Sequence, residues 1–450
     1  MTIARFLSSD DLHRLAAYWR RRRASHIDPS LVVLRRRVAT GVGAVLLGLV
    51  ALGFAKAGDL AQHGFARLVA LWPYAPLVTT PALFAGVMFL TARWAPDARG
   101  SGIPQVIAST RAPEASSRGP LVSMRTAAAK FGLTITMLFA GASVGREGPT
   151  VQISAALMVM VHRLFRVPIT AGVLIAGGAA GVAAAFNTPL AGVAFAIEEL
   201  ASAYEQKVAV LVMAAVMIAG LISLGIAGDY VYFGAMRQTL AVAAMLVICP
   251  VAGILGGLAG GLFTRLVLSF AAPTHPLLKR LRSRPILFAG SCGLIVAVLG
   301  IVTGGGTWGT GYETTRSLVE GTGATLWFGP AKALATLATT LSGTPGGIFA
   351  PSLAVGAGVG NLLTPIFPGN PAGAVVLLGM VAYFTGVVRA PLTAVIIISE
   401  ATASRGMIVP LFATALIADG VSALVSRERL YHGLAKPFLP AVKTSASVDE

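Results

Sequence analysis

Glu147 is a carboxylate in an apolar neighbourhood: it stands beside Arg146 in GASVGREGPT (residues 141–150), with a glycine on either side of the pair. Adjacent residues on a helix point about 100° apart, so these two side chains are not expected to pair with each other. A carboxylate at membrane depth is costly and by default functional. Here it stands where a helix restarts after a glycine break, and free amide hydrogens and the positive end of the helix dipole face it. The same amides would hold a small anion. Competition between carboxylate and anion makes proton binding and anion binding mutually dependent, which is the chemistry this residue can do in this setting.

Three further glycine breaks accompany it: GSGIP (100–104), GTGYE (309–313) and GGIFAP (346–351). In GSGIP, GREGP and GGIFAP a proline lies near the end of the break, suited to the opening turn of a new helix because its missing donor is not needed there. Each motif alone is common loop material. Several such helix ends converging at mid-membrane would bind an anion without a full positive charge, weakly enough for a chloride-like ion to leave.

The breaks are tied together by a repeat. AAAKFGLTITMLFAGASVGREGPTV around residue 140 recurs as GPAKALATLATTLSGTPGGIFAPSL at a constant offset of 202, which carries Lys130 to Lys332, Gly145 to Gly347 and Pro149 to Pro351. The same offset takes Pro189, Leu190 and Glu198 to Pro391, Leu392 and Glu400, and a looser echo of offset 209 pairs Gly100 with Gly309. Two related membrane halves, 38–235 and 236–436, are expected, flanked by a basic segment 1–37 and a short tail 437–450. Duplications of this kind build a site from interrupted helices at the interface of the halves. Sequence similarity leaves open whether the halves are parallel or inverted.

Composition fixes the setting. Of 450 residues 55% are hydrophobic and 12% charged, with a mean hydropathy of +0.78, which describes an integral membrane protein. Apolar runs at 38–55, 241–270 and 285–302 are long enough to span. The 52 glycines and 25 prolines imply irregular backbone at membrane depth, tolerated only where protein or water surrounds it. The formal charge of +17 is gathered in Arg20–Arg23, Arg35–Arg37 and 279–284, beside the spans. That is a positive-inside pattern placing the N-terminus and the 279–284 loop in the cytoplasm, and nucleic-acid binding is set aside. Asp10, Asp11 and Asp28 argue against a transit peptide. Cys249 and Cys292 sit in apolar runs and are expected to stay unpaired. The six histidines show no ligand spacing, and no metalloprotease, nucleotide or nucleophile-elbow motif occurs. Neither a metal nor a cofactor is expected, and the chain is not expected to be an enzyme.

GSGIP, GREGP and GGIFAP, followed by FNTPLAGVAFAIEE, resemble the signature segments of the CLC chloride channel and transporter family, in the family's order over residues 38–436. The resemblance implies an all-α integral membrane fold of two inverted repeats of tilted, interrupted helices. It also implies a homodimer in the lipid bilayer with one anion pathway per subunit. Ser101 and Tyr431 would offer hydroxyls to the anion, and Ile348 and Phe349 their backbone amides. Gly100, Arg146 and Gly148 belong to the breaks around it. Glu147 would be the gate, mimicking an anion when charged and swinging away when protonated. Glu199 would take protons from the inside, and its presence favours a chloride/proton antiporter over a passive chloride channel. On sequence alone, Glu198 and Glu199 read as helix-end charges.

Serine at position 101 points to chloride within the family, and Gln105, Val106 and Ile107 stand where some bacterial exchangers have acidic residues. The nucleotide-binding tail of many eukaryotic members is expected to be absent. Lys130 and Lys332 are expected to snorkel or to neutralise a helix C-terminus, Glu400 to be structural, and Trp72, Trp94, Trp308 and Trp327 to anchor at the membrane interface. A larger organic anion is disfavoured, because the breaks are expected to bring no arginine or aromatic side chain beyond Arg146 to a ligand. The expectation is thus a multi-pass chloride/proton exchanger of a bacterial inner membrane.

Overall fold

A computed structural model describes residues 29–200, 206–228 and 231–439. The Arg20–Arg23 cluster, the aspartates at 10, 11 and 28, and the tail beyond residue 439 lie outside the described residues. Within them the regular elements are helices. In the first half these are α1 (Pro29–Leu71), α2 (Pro76–Trp94), α3 (Ile103–Arg111), α4 (Met124–Phe139), α5 (Glu147–Leu164), α6 (Ala171–Phe186), α7 (Pro189–Phe195) and α8 (Gln206–Ala227). The second half has α9 (Val242–Ala271), α10 (Pro285–Val302), α11 (Tyr312–Val319), α12 (Phe328–Leu341), α13 (Phe349–Leu363), α14 (Ala372–Val388), α15 (Pro391–Ala401) and α16 (Ile408–Val425), and a last helix α17 (Leu430–Ala435) follows. Two short helices, Pro113–Arg118 and Pro276–Arg282, lie in the connections.

Each helix from α1 to α8 thus has a counterpart eight places on. The 43 residues of α1 extend about 65 Å at helical rise, roughly twice the hydrocarbon thickness, so it cannot stand upright within the bilayer alone. It begins at Pro29, inside the segment assigned to the basic N-terminus, and carries Arg35–Arg37 in its first turns. Seven helices among the described residues are long and apolar enough to span; α3, α7 and α11, with nine, seven and eight residues, are not.

The layering follows from side-chain type. α6 and α14 are apolar all round and buried almost throughout, the signature of an inner helix. α1, α2, α8, α9, α10 and α16 expose leucine, valine and isoleucine on their outer faces, as lipid contact requires. Lipid gives helices no hydrophobic reason to associate, so close contact must come from small residues. α9 supplies them: a Cβ on Gly260 would lie 2.6 Å from the Gly386 backbone of α14, and one on Gly257 2.7 Å from the Ala418 carbonyl of α16.

The two halves also cap each other. Asn187 and Arg389, repeat mates, end α6 and α14 in the left-handed conformation, at φ 57° and 61°. Glu198 accepts from the Leu392 and Thr393 amides at 2.9 and 2.6 Å, at the start of α15. Glu400 accepts from the Leu190 and Ala191 amides at 3.3 and 2.9 Å, at the start of α7. Each carboxylate therefore satisfies orphan donors of the opposite half, where a helix N-terminus favours negative charge. Glu400 is structural, as expected.

Candidate functional site

Three of the four breaks meet backbone to backbone. Gly145 and Gly347 exchange amide–carbonyl hydrogen bonds of 2.7 and 2.8 Å, and the Gly346 amide donates to the Gly100 carbonyl at 3.1 Å. A Cβ on Gly148 would lie 3.0 Å from the Ser101 carbonyl. Gly100 and Gly102 take φ of 62° and 103°, open without penalty only to glycine, and turn the chain into α3. α5 and α13 then begin at Glu147 and Phe349, so three helix N-termini open on one place.

Buried lysines hold the loops in shape. Lys130 donates to the Gly100 and Arg99 carbonyls at 2.8 and 3.3 Å, and Lys332 to the Gly309 and Thr307 carbonyls at 2.7 and 2.9 Å. Both are completely buried. This corrects the expectation of snorkelling or helix-end neutralisation: the irregular loops leave carbonyls without ladder partners, and each buried lysine amine donates to two of them. Gln105 adds donors to the Asp97 and Arg99 carbonyls at 3.1 and 2.8 Å. An ionised carboxylate at that position has no hydrogen to give.

The expected ligands converge. Ser101 is 8% exposed and Tyr431 fully buried, and neither hydroxyl has a hydrogen-bond partner in the protein. The two are close enough to interact with each other, and two buried, uncommitted hydroxyls suit a small anion. Ile348 and Phe349 open α13 beside them, and the Phe349 ring packs among Phe186, Phe195, Phe384 and Tyr431 at centroid distances of 5.0–6.3 Å.

Glu147 is fully buried, and its carboxylate faces the backbone amides of Ala350 in α13 and of its own residue. Oε1 accepts a hydrogen bond from the Tyr312 hydroxyl, while Oε2 has no donor at full hydrogen-bonding geometry. The Arg146 side chain turns the other way, to the Ala55 carbonyl at 2.5 Å, Asp59 at 2.8 Å and the Tyr232 hydroxyl at 2.8 Å. Its guanidinium thus acts on the site as a nearby charge, 5.7 Å from the Tyr312 ring centroid. Tyr312 is braced by Tyr232 and Phe233, at centroid distances of 4.5 and 5.5 Å.

Tyr312 and Phe349 lie in two of the breaks, which corrects the expectation that the breaks bring no aromatic side chain to the site. Tyr312 was legible only as the fourth residue of GTGYE; Asp59 and Tyr232 carried no motif at all. Trp308 is also corrected: its indole lies against Gly300 and Phe65 and donates to the Val296 carbonyl at 3.2 Å. Trp72, Trp94 and Trp327 are exposed.

Two cavities flank this plug. One of about 460 Å³ is lined by Arg99, Gly100, Ser101, Arg282, Ile348 and Tyr431, among others. The other, about 920 Å³, is lined by Asp59, Gln62, His63, Tyr312 and Glu313, among others. Chain direction separates the two. α1 runs from Arg35–Arg37 to the second cavity near its far end, and α2 returns toward Arg99 beside the first. Glu147 lines neither and stands between them.

Glu199 lies on a single π-helical turn, Ala196–Leu200, that continues α7, an element often found at functional positions. Its side chain is fully buried, and His432 Nδ1 stands 3.4 Å from Oε1. Among the described residues, no group of three His, Cys, Asp or Glu side chains is placed to hold a metal ion.

A family model described as "Voltage gated chloride channel" matches residues 81–423. The H(+)/Cl(-) exchange transporter ClcA of Yersinia pestis bv. Antiqua (strain Angola) is 31% identical over 434 residues, covering 88% of this chain and 86% of the relative. That of Vibrio vulnificus (strain YJ016) is 32% identical over 434 residues, covering 91% and 90%. Among solved structures, a slow cyanobacterial Cl-/H+ antiporter aligns with a TM-score of 0.76 and 26% identity, over 90% of this chain and 98% of that one. A CLC-type fluoride/proton antiporter aligns with a TM-score of 0.74 and 22% identity, over 88% and 96%, a likeness of fold alone.

Proposed function

The chain belongs to the voltage-gated chloride channel family, and from that premise we propose that it is a secondary active antiporter exchanging chloride for protons across a membrane. The observation that carries the reading is the position of Glu147: a buried carboxylate against the Ala350 amide of α13 and its own amide, between an inner and an outer cavity. Ionised, it fills the amide cradle as an anion would. Protonated, it loses the charge those amides favour and yields the place to chloride, which Ser101, Tyr431 and the Ile348 and Phe349 amides then hold. Proton uptake at Glu147 and chloride binding thereby depend on each other.

Glu199 supports exchange over passive conduction, because a second buried carboxylate on the inner side gives protons a stop that chloride does not need. The protein works as a transporter and not as an enzyme, as a homodimer in the bilayer, and in the inner membrane of a bacterium. The bacterial relatives and the lipid-facing leucine and isoleucine surfaces support this reading.

The test is proton movement in liposomes holding the purified protein under a chloride gradient. Exchange requires chloride to drive protons uphill and Glu199→Gln to abolish that drive while chloride still flows. Chloride flux with no proton movement would make the protein a passive channel or an uncoupled carrier.

A further inference from the structure

Among the described residues, Glu199 is closed off from solvent. Its side chain is fully buried, and neither carboxylate oxygen has a hydrogen-bond partner. Its neighbour Glu198 faces elsewhere: that carboxylate is held by the Leu392 and Thr393 amides and the Thr393 hydroxyl, at 2.6–2.9 Å. The group that does reach Glu199 is His432, whose Nδ1 is 3.4 Å from Oε1 and whose side chain is 34% exposed. It is thus half in water and half against the buried carboxylate.

The one-and-a-half turns of α17 explain the placement. Tyr431 and His432 are adjacent and so diverge by about 100°. Tyr431 turns to Ser101 and Phe349, and His432 turns to Glu199. Among the described residues, the other charged groups near the imidazole are Arg429, which reaches toward the Glu198 carbonyl at 3.5 Å and acts on Glu199, and the Glu428–Lys436 ion pair at 2.5 Å. Glu428 and Lys436 engage each other, and the imidazole is placed against the Glu199 carboxylate. Leu268 packs against Gly433 on this helix and contributes no charge.

We propose that His432 is the cytoplasmic proton-intake group, taking protons from water at the inner mouth and passing them to Glu199. The proposal rests on the exchanger reading above. In the step, the imidazolium Nδ1–H bond breaks as an O–H bond forms at Glu199 Oε1, leaving a neutral imidazole and a neutral carboxylic acid. The imidazole then turns to water and takes up a proton from hydronium or buffer acid, and the carboxylic acid releases its proton onward into the pathway. Histidine suits the task because it gains and loses a proton near neutral pH. Glutamine keeps hydrogen bonding without titrating, and alanine leaves room for a free imidazole.

The experiment is chloride-driven proton uptake, with chloride flux measured in parallel, for the full chain in liposomes carrying His432→Gln or His432→Ala. The expected result is a fall of about tenfold or more in protons moved per chloride for both variants, with free imidazole restoring proton uptake in His432→Ala alone. An unchanged ratio in His432→Gln overturns the proposal. So does a loss in both variants that imidazole leaves untouched, which would make the histidine a prop for Glu199. Glu199→Gln in the same assay separates the two readings: if it stops proton uptake while His432→Gln does not, only the role of His432 falls. If Glu199→Gln still pumps protons, the exchange route through Glu199 falls first.

Discussion

Gly145 and Gly347 donate their amide hydrogens to each other's carbonyl oxygens, and they are repeat mates 202 residues apart. Equal bonds exchanged between equivalent positions are what a two-fold axis produces, and the bridge is antiparallel. The halves therefore run in opposite directions where they meet. The Glu198 and Glu400 caps and the Lys130 and Lys332 clamps repeat the same symmetry. It breaks at Glu147 and at Ser101. The mate of Glu147 is Phe349. At offset 209 the mate of Ser101 is Thr310, whose hydroxyl is engaged by Gln62 at 3.3 Å, while that of Ser101 stays uncommitted.

That meeting point has no room for a side chain. A Cβ on Gly347 would stand 3.0 Å from the Gly145 carbonyl, the Gly148 amide and Pro149 Cδ, all fixed by two breaks at once. Gly347→Ala is expected to cut chloride flux about tenfold or more and to lower stability by about 1–3 kcal/mol, read by liposome flux and by thermal melting in detergent. Gly53→Ala, on α1 with nothing within 4 Å of the new methyl, should match the parent in both. Equal behaviour of the two variants would show that the break contact is not tight.

Tyr312 donates its hydroxyl hydrogen to Glu147 Oε1. A donor to a carboxylate favours ionisation, so its removal lets the carboxylate protonate from less acidic solution. Chloride flux should rise as external pH falls, because protonation empties the cradle. In Tyr312→Phe the half-maximal point of that rise should move to higher pH by about one unit, the size of a charge-assisted hydrogen bond. Glu147→Gln should flatten the profile altogether. Flux against external pH for the three proteins is the measurement, and a Tyr312→Phe curve superimposed on the parent's would exclude the tyrosine as a latch.

The breaks, the offset of 202 and the buried carboxylate were readable from sequence because each is written in residue type: glycine where the backbone must approach, proline where a helix restarts, glutamate where lipid forbids one. Partners across the fold were not. Tyr312 meets Glu147 from 165 residues away, and His432 meets Glu199 from 233 residues away; no local pattern fixes such a direction. The lysines were misread for a related reason. A lysine on an apolar helix normally snorkels, and only the position of the loop carbonyls shows that these two are clamps.

Those clamps make a paired prediction. Lys130→Met takes one donor from each of the Gly100 and Arg99 carbonyls, leaving them the Gly346 amide and Gln105, and loosens the loop that carries Ser101, so chloride should bind more weakly, on the order of tenfold at about 1–2 kcal/mol for the lost hydrogen bonds. Lys332→Met loosens the loop that leads to Tyr312. Its effect should be an alkaline shift of the flux profile, in the direction of Tyr312→Phe. Chloride titration by calorimetry and flux against pH separate the two, and identical defects in both variants would count against this division.

Glu198 and Glu199 are neighbours whose side chains diverge, as adjacent residues on a helical turn do. One carboxylate reaches across to the amides of α15 and the other faces His432. Glu198→Gln and Glu400→Gln each remove a charge from a helix N-terminus and weaken its hydrogen bonds, a loss of about 1–2 kcal/mol. Both should melt earlier and still move protons against chloride at the parent's ratio. Glu199→Gln should melt like the parent and lose proton movement. Melting temperature and coupling ratio, measured on the three variants side by side, distinguish a cap from a proton site, and a coupling defect in Glu400→Gln would show that the symmetric caps take part in transport.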